Sequence, residues 1–160
     1  MNEKNFNLTK VKLDPKGGLL AEYEITTIAG DEPTTINRKE TCSREVHPDL
    51  SGLFKGLRRY ICEAFGINPE IAENIEVRGL SWSGSEANEG VIITSVFECV
   101  NGSKTCINTP RIKLAQDSFG FEEDLKAICE GVKNEVYAYL FDGKQAQLSL
   151  FGEQNDMPEA

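Results

Sequence analysis

The sequence is short of histidine and tryptophan, with one of each among 160 residues. A single histidine excludes multi-histidine metal centres and any acid–base scheme that needs two imidazoles. No stretch approaches the roughly 18 apolar residues that a membrane helix needs, and Met1-Asn2-Glu3-Lys4-Asn5 lacks the apolar run of a secretory signal. The five cysteines, Cys42, Cys62, Cys99, Cys106 and Cys129, are odd in number and include no C-x-x-C. They indicate neither a disulfide framework nor a zinc knuckle, and a reduced, cytoplasmic protein with no membrane partner fits them. P-loop, dinucleotide-fingerprint, H-E-x-x-H and EF-hand spacings are missing as well. No catalytic constellation, metal site or cofactor follows from the residues.

What is present suffices for a packed core. The chain has a mass of 17.7 kDa, 39% hydrophobic and 27% charged residues, and suits one domain or two small halves sharing a core. Its formal net charge of −9 is unevenly placed: residues 1–66 hold ten basic and ten acidic side chains, residues 67–160 seven and sixteen. Such acidity makes a poor non-specific binder of phosphate backbones. The exception is local. Arg38, Lys39, Arg58 and Arg59, with Arg44, Lys55 and Tyr60 alongside, form a candidate nucleic-acid contact. The plainer reading is a solvated helix face, partly balanced by Glu40, Glu45 and Glu63.

The order of elements is legible from periodicity. Leu8 to Leu13 alternates as a strand, with Leu8, Lys10 and Lys12 on one face and Thr9, Val11 and Leu13 on the other. Turn chemistry at Asp14-Pro15-Lys16-Gly17-Gly18 leads to a second strand, Leu19 to Ile28, and Gly30-Asp31-Glu32-Pro33 to a third, Thr34 to Cys42. Pro48 stands at the first position of a helix, with His47 before it. His47 has no nucleophile spacing around it and reads as a helix-terminal residue. Leu50, Leu53, Phe54, Leu57, Ile61, Ala64 and Phe65 make one apolar face, closed by Gly66. Gly52 and Gly56 inside this helix cost about 1 kcal/mol each relative to alanine, which packing against the sheet or a close approach to a partner would offset.

The second half repeats that order. Ile75 to Ser81, Val91 to Val100 and Lys104 to Asn108 read as strands, the last two joined at Asn101-Gly102. A two-residue turn there sets Cys99 opposite Lys104 and Cys106 opposite Phe97. Phe121, Leu125, Ile128, Cys129, Val132, Val136, Tyr139 and Leu140 mark a second amphipathic helix, with Glu122, Glu123 and Asp124 complementing the dipole of its first turn and Gly143 as its cap. The expected architecture is therefore α+β, a duplicated βββα-βββα: antiparallel sheet or sheets with two long amphipathic helices packed on one side. Pseudo-repeats of about residues 8–66 and 75–143 make up a domain of residues 1–143, followed by a tail of residues 144–160. Neither three-stranded half buries its apolar face well alone.

The tail carries the most specific signal. Gln147-Leu148-Ser149-Leu150-Phe151 resembles the sliding-clamp-binding motif of bacterial replication proteins, Q-L-[S/D]-L-F, at all five positions. The resemblance implies that Gln147 anchors one end of the peptide by hydrogen bonds, Leu148 packs at the near side of a groove on the clamp, Ser149 is the tolerant position, and Leu150 and Phe151 fill the deep apolar pocket. The competing reading packs Leu148, Leu150 and Phe151 back onto the protein's own sheet as a short edge strand. The body, on segments such as Ser43-Arg44-Glu45-Val46-His47-Pro48-Asp49-Leu50 and Thr109-Pro110-Arg111-Ile112-Lys113, resembles uncharacterised bacteriophage and prophage proteins.

Two expectations of different class follow. One is a non-enzymatic, phage-related replication accessory or inhibitor docked on the DNA polymerase sliding clamp, with DNA as a weak second partner. The other is a small nucleotide- or nucleic-acid-binding or processing domain whose tail is structural or only an address to the fork.

Overall fold

Polar turns set the strand order. In a computed structural model, which describes residues 5–84, 88–114 and 122–146, β1 (Phe6–Leu13) and β2 (Leu19–Ala29) are joined by a turn closed from Asp14 N–H to the Gly18 carbonyl, at 2.8 Å. Gly30, at φ +70°, and Asp31 lead from β2 into β3 (Glu32–Cys42). Pro33 opens β3, where an edge strand tolerates its missing N–H.

The chain then forms α1 (Pro48–Gly56), α2 (Arg58–Phe65), a 3-10 helix (Pro69–Asn74), β4 (Ile75–Ser83), β5 (Gly90–Glu98), β6 (Lys104–Asn108), β7 (Ile112–Lys113) and α3 (Glu122–Phe141). The architecture is α+β, built on one antiparallel sheet of order β3-β2-β1-β4-β5-β6, with β7 also paired to β5. The order reads alike from both edges: each half is a three-stranded meander, and the first strands of the two halves meet in the centre.

Those central strands share a shape that simple alternation misses. In β1, Leu8 and Val11 are both buried, on one face, because the register against β2 shifts between Leu8 and Lys10. Thr9 takes up the extra residue, and its hydroxyl donates to the Glu22 carbonyl at 3.0 Å. In β4 the register shifts between Val77 and Gly79, and Val77 and Leu80 are both buried. Val11 and Leu80 then face each other across the middle of the sheet.

The β5–β6 hairpin differs from expectation by one residue. Cys99 N–H donates to the Ser103 carbonyl at 2.8 Å, and Gly102, at φ +85°, accepts the left-handed position. The loop is Val100-Asn101-Gly102, a three-residue connection with a glycine bulge rather than a two-residue turn. Cys106 therefore lies opposite Val96, not Phe97, and the two thiols still do not pair. Beyond β6, Pro110 interrupts the ladder. Thr109 compensates: its N–H donates to the Ile93 carbonyl and its hydroxyl accepts from Ile93 N–H at 2.9 Å. β7 then resumes pairing with the same edge of β5.

The first helix is also two helices. His47 caps it, its Nδ1 accepting from Asp49 N–H at 3.1 Å, and Gly66 ends the second at φ +65°. Between them Leu57 N–H bonds Phe54 and Tyr60 N–H bonds Leu57, two three-residue steps that tighten the chain. The buried face shifts at this joint: Tyr60, Ile61 and Cys62 are buried consecutively, whereas Phe65 is 44% exposed. One core holds the buried residues of all the α-helices and one sheet face, including Val11, Tyr23, Phe54, Ile61, Leu80 and Val132. Among the described residues, no helix covers the other face, with Lys10, Glu22, Glu24, Lys39 and Ser81. Among the described residues, no helix is long and apolar enough to cross a membrane.

Candidate functional site

Where the tail leaves the body, the structure builds a clasp from residues about a hundred positions apart. α3 ends at Phe141, Gly143 turns at φ +73°, and Lys144 N–H reaches back to the Ala138 carbonyl at 3.1 Å. Lys144 Nζ then lies 2.9 Å from Asp49 Oδ2 and 2.8 Å from Glu135 Oε1. These partners raise the Lys144 ammonium above its ordinary value, Glu135 contributing first, and the Lys144 hydrogen bond lowers the Asp49 carboxyl. Gln145 accepts from Arg44 Nη1 at 3.2 Å, and Ala146 N–H donates to the Glu45 carbonyl at 2.9 Å.

Tyr139 secures the other side of the clasp. Its hydroxyl donates to the Arg44 carbonyl at 2.5 Å, its carbonyl accepts from Arg44 Nη2 at 3.3 Å, and the guanidinium sits 4.4 Å over its ring. Burial raises the Tyr139 hydroxyl above its ordinary value. Sequence reasoning placed Arg44 in a basic cluster and Lys144 in a tail, with nothing in their spacing to join them. Gln147 to Phe151 lie outside the described residues, as does the rest of the chain beyond Ala146.

The basic residues singled out in the sequence fall in two separate places. Arg38 and Lys39 are neighbours on the edge strand β3, so they point to opposite faces: Arg38 pairs with Tyr23 and Lys39 with Glu22. Both border a shallow depression of about 370 Å³ that also holds Glu22 and Glu24, which balance their charge. Arg58 and Arg59 instead line a groove of about 710 Å³ between α2, the α1–α2 joint and the 3-10 helix. Lys55 joins them there, Glu63 is the one carboxylate among the lining residues, and Cys62, Ile67 and Ala72 supply an apolar floor.

Within this groove the two arginines differ. Arg59 is committed: its Nη2 donates to the Tyr60 hydroxyl at 2.6 Å, its guanidinium lies 4.7 Å from that ring, and Asp124 Oδ2 is 3.6 Å away. Arg58 has a buried Nε–H with no hydrogen-bond partner among the described residues. Tyr60, the aromatic residue alongside the basic cluster in the sequence, is 1% exposed and belongs to the core. The 3-10 helix that forms the far wall has no apolar periodicity to reveal it, although Asn68, which caps it by accepting from Glu70 N–H at 3.0 Å, and Pro69 at its start are recognisable signals. Among the described residues, no group of three or more His, Cys, Asp or Glu side chains converges as a metal site would require.

Comparison with known proteins gives no match: no protein-family model, no curated protein and no solved structure matches this chain.

Proposed function

We propose that this protein docks on the bacterial DNA polymerase sliding clamp through Gln147-Leu148-Ser149-Leu150-Phe151, as a non-enzymatic replication accessory or inhibitor of phage-related origin. The observation that carries the reading is the agreement of all five residues with the clamp-binding pattern. Three large apolar side chains in an otherwise polar tail fit a partner groove that receives aliphatic and aromatic anchors.

The clasp at the base of the tail adds support. Lys144, Gln145 and Ala146 are held to the 44–49 segment, so the pentapeptide begins one residue beyond a point fixed on the body. A short peptide buries few atoms, so one site holds at about micromolar Kd. The acidic second half of the chain disfavours contact with the DNA inside the clamp, which favours occupation of the groove over assistance at the fork.

Titration calorimetry of the full chain into purified bacterial clamp tests this. Saturable binding that disappears in Leu148→Ala/Phe151→Ala is the expected result. A folded wild type that releases no heat, or a double variant that binds as the wild type does, overturns it.

A further inference from the structure

We infer that the groove between α2 and the 3-10 helix binds a nucleotide, its phosphate held by Lys55 and Arg58 and its apolar part laid on Cys62, Ile67 and Ala72. The inference is independent of the pentapeptide. It rests first on charge. The protein carries a net charge of −9, yet this groove is lined by Lys55, Arg58 and Arg59 against the single carboxylate of Glu63. Basic side chains gathered in a concavity of an acidic protein draw in anions of small size rather than long duplexes, because the net negative charge of the whole protein repels an extended phosphate backbone.

The second observation is Arg58 itself. Its Nε–H is closed off from water and has no acceptor among the described residues. A charged donor left in that state is costly, and a buried N–H is normally paired. Lys55 makes no ion pair among the described residues, whereas Arg59 is taken up by Tyr60 and Asp124. When the Arg58 guanidinium turns into the groove, Nε–H and one Nη–H present two parallel donors to a phosphate, the arrangement arginine makes best. Arg59, fixed by its own bonds, flanks the anion without moving.

Size and floor narrow the class. A volume of about 710 Å³ lies within the range of small-molecule sites. Inorganic phosphate would leave the apolar floor uncovered; a nucleoside phosphate covers it. Free nucleotides and the nucleotides of a single strand share this chemistry, and the test separates them.

The full chain, labelled with 15N, is titrated with dATP, with the oligonucleotide (dT)12 and with inorganic phosphate. The expected result is saturable movement of amides within residues 55–72, together with movement of the Arg58 Nε–H resonance, under dATP or (dT)12. Arg58→Gln weakens this binding roughly tenfold or more, the loss of hydrogen bonds to a charged group. Arg58→Lys, which keeps charge but loses the fork, falls between, and Lys39→Gln leaves it unchanged. Tighter binding of (dT)12 that fades with salt identifies a strand as the source, and equal affinity identifies the free nucleotide. No saturable movement under either probe, movement confined to other residues, inorganic phosphate binding as tightly as dATP, or an Arg58→Gln variant with an unaltered spectrum elsewhere that binds as the wild type does, each overturns the inference.

Discussion

The two halves of this molecule agree at the centre and part company at the periphery. β1 and β4 pair with each other, and both carry a register shift that puts Leu8 with Val11, and Val77 with Leu80, on the core face. Two strands that pack on one another and under the same helices are constrained to matching curvature. The outer parts meet no such constraint. β3 runs unbroken for 11 residues along one edge, while the corresponding edge is split by Pro110 into β6 and β7. The first helix breaks at Leu57, whereas α3 runs 20 residues without interruption.

That last difference has a structural consequence. Past its middle, α3 touches its own half, where Lys133 pairs with Glu89 at 2.9 Å and lies 5.2 Å from the Trp82 ring. It ends over the other half, where Tyr137 and Phe141 lie 5.3 and 5.7 Å from the Phe6 ring and Phe141 lies 5.9 Å from that of Tyr23. The long helix staples the halves, and the broken one leaves room for the groove that Arg58 lines.

Separating the halves should have the largest effect. Residues 1–74 alone lose the cover of Tyr137 and Phe141 over β1 and β2, and the expected outcome is a chain without a cooperative unfolding transition. Mixing it with residues 75–160 should restore one. A cooperative melt for the first fragment alone would show the halves to be independent.

A smaller effect sharpens the asymmetry of the two edges. In the first half, Tyr23 is buried and its hydroxyl donates to Glu40. Burial, then the Glu40 carboxylate, push that hydroxyl up to about 12 from an ordinary 10.0. The folded state thus holds this proton more tightly than the unfolded chain does. The resulting stability is fully present below pH 10.0 and is lost as pH rises toward about 12. Denaturant midpoints should fall across that window, and Tyr23→Phe should flatten the fall while costing about 1 kcal/mol at neutral pH, the worth of one hydrogen bond. An identical alkaline slope in Tyr23→Phe would remove Tyr23 as its source.

The smallest effect compares one glycine from each helix. A Cβ on Gly52 meets nothing within 4 Å, and one on Gly56 only Ile128 Cδ1 at 3.9 Å, so neither is demanded by a close approach. On Gly131 of α3 a Cβ would stand 3.2 Å from Leu53 Cδ1, and it is there that α1 and α3 draw together. Gly52→Ala should raise stability by about 0.5–1 kcal/mol, and Gly131→Ala by less, since Leu53 must yield. Equal gains in the denaturation midpoints of both variants would refute that close approach.

Local chemistry was enough for the α+β class, for most strands, for His47 and Pro48 at one helix start, and for Gly66 and Gly143 at two helix ends. Caps, turns and periodic faces are short-range, and each is written in a few adjacent residues. The same range marks where reading stopped. Periodicity made one helix of residues 48–65, because the Leu57 joint alters hydrogen bonding without altering the apolar spacing. Alternation put Leu8 and Val11 on opposite faces, because a bulge adds a residue that no composition announces. The Asn101-Gly102 pair located a turn but not its length, and one residue of length changes every cross-strand partner.

For the candidate sites the division is sharper. The pentapeptide is a linear signal and is legible without a fold. Arg38 and Lys39 looked like companions of Arg58 and Arg59 because they share a charge and a half of the chain; packing sends the first two to a strand edge and the second two to a groove. The Lys144–Asp49–Glu135 clasp and the unpaired Nε–H of Arg58 join residues or expose vacancies that depend on distance in space. Residues far apart in the chain become neighbours only once the core has closed, and that is why tertiary structure alone decided them.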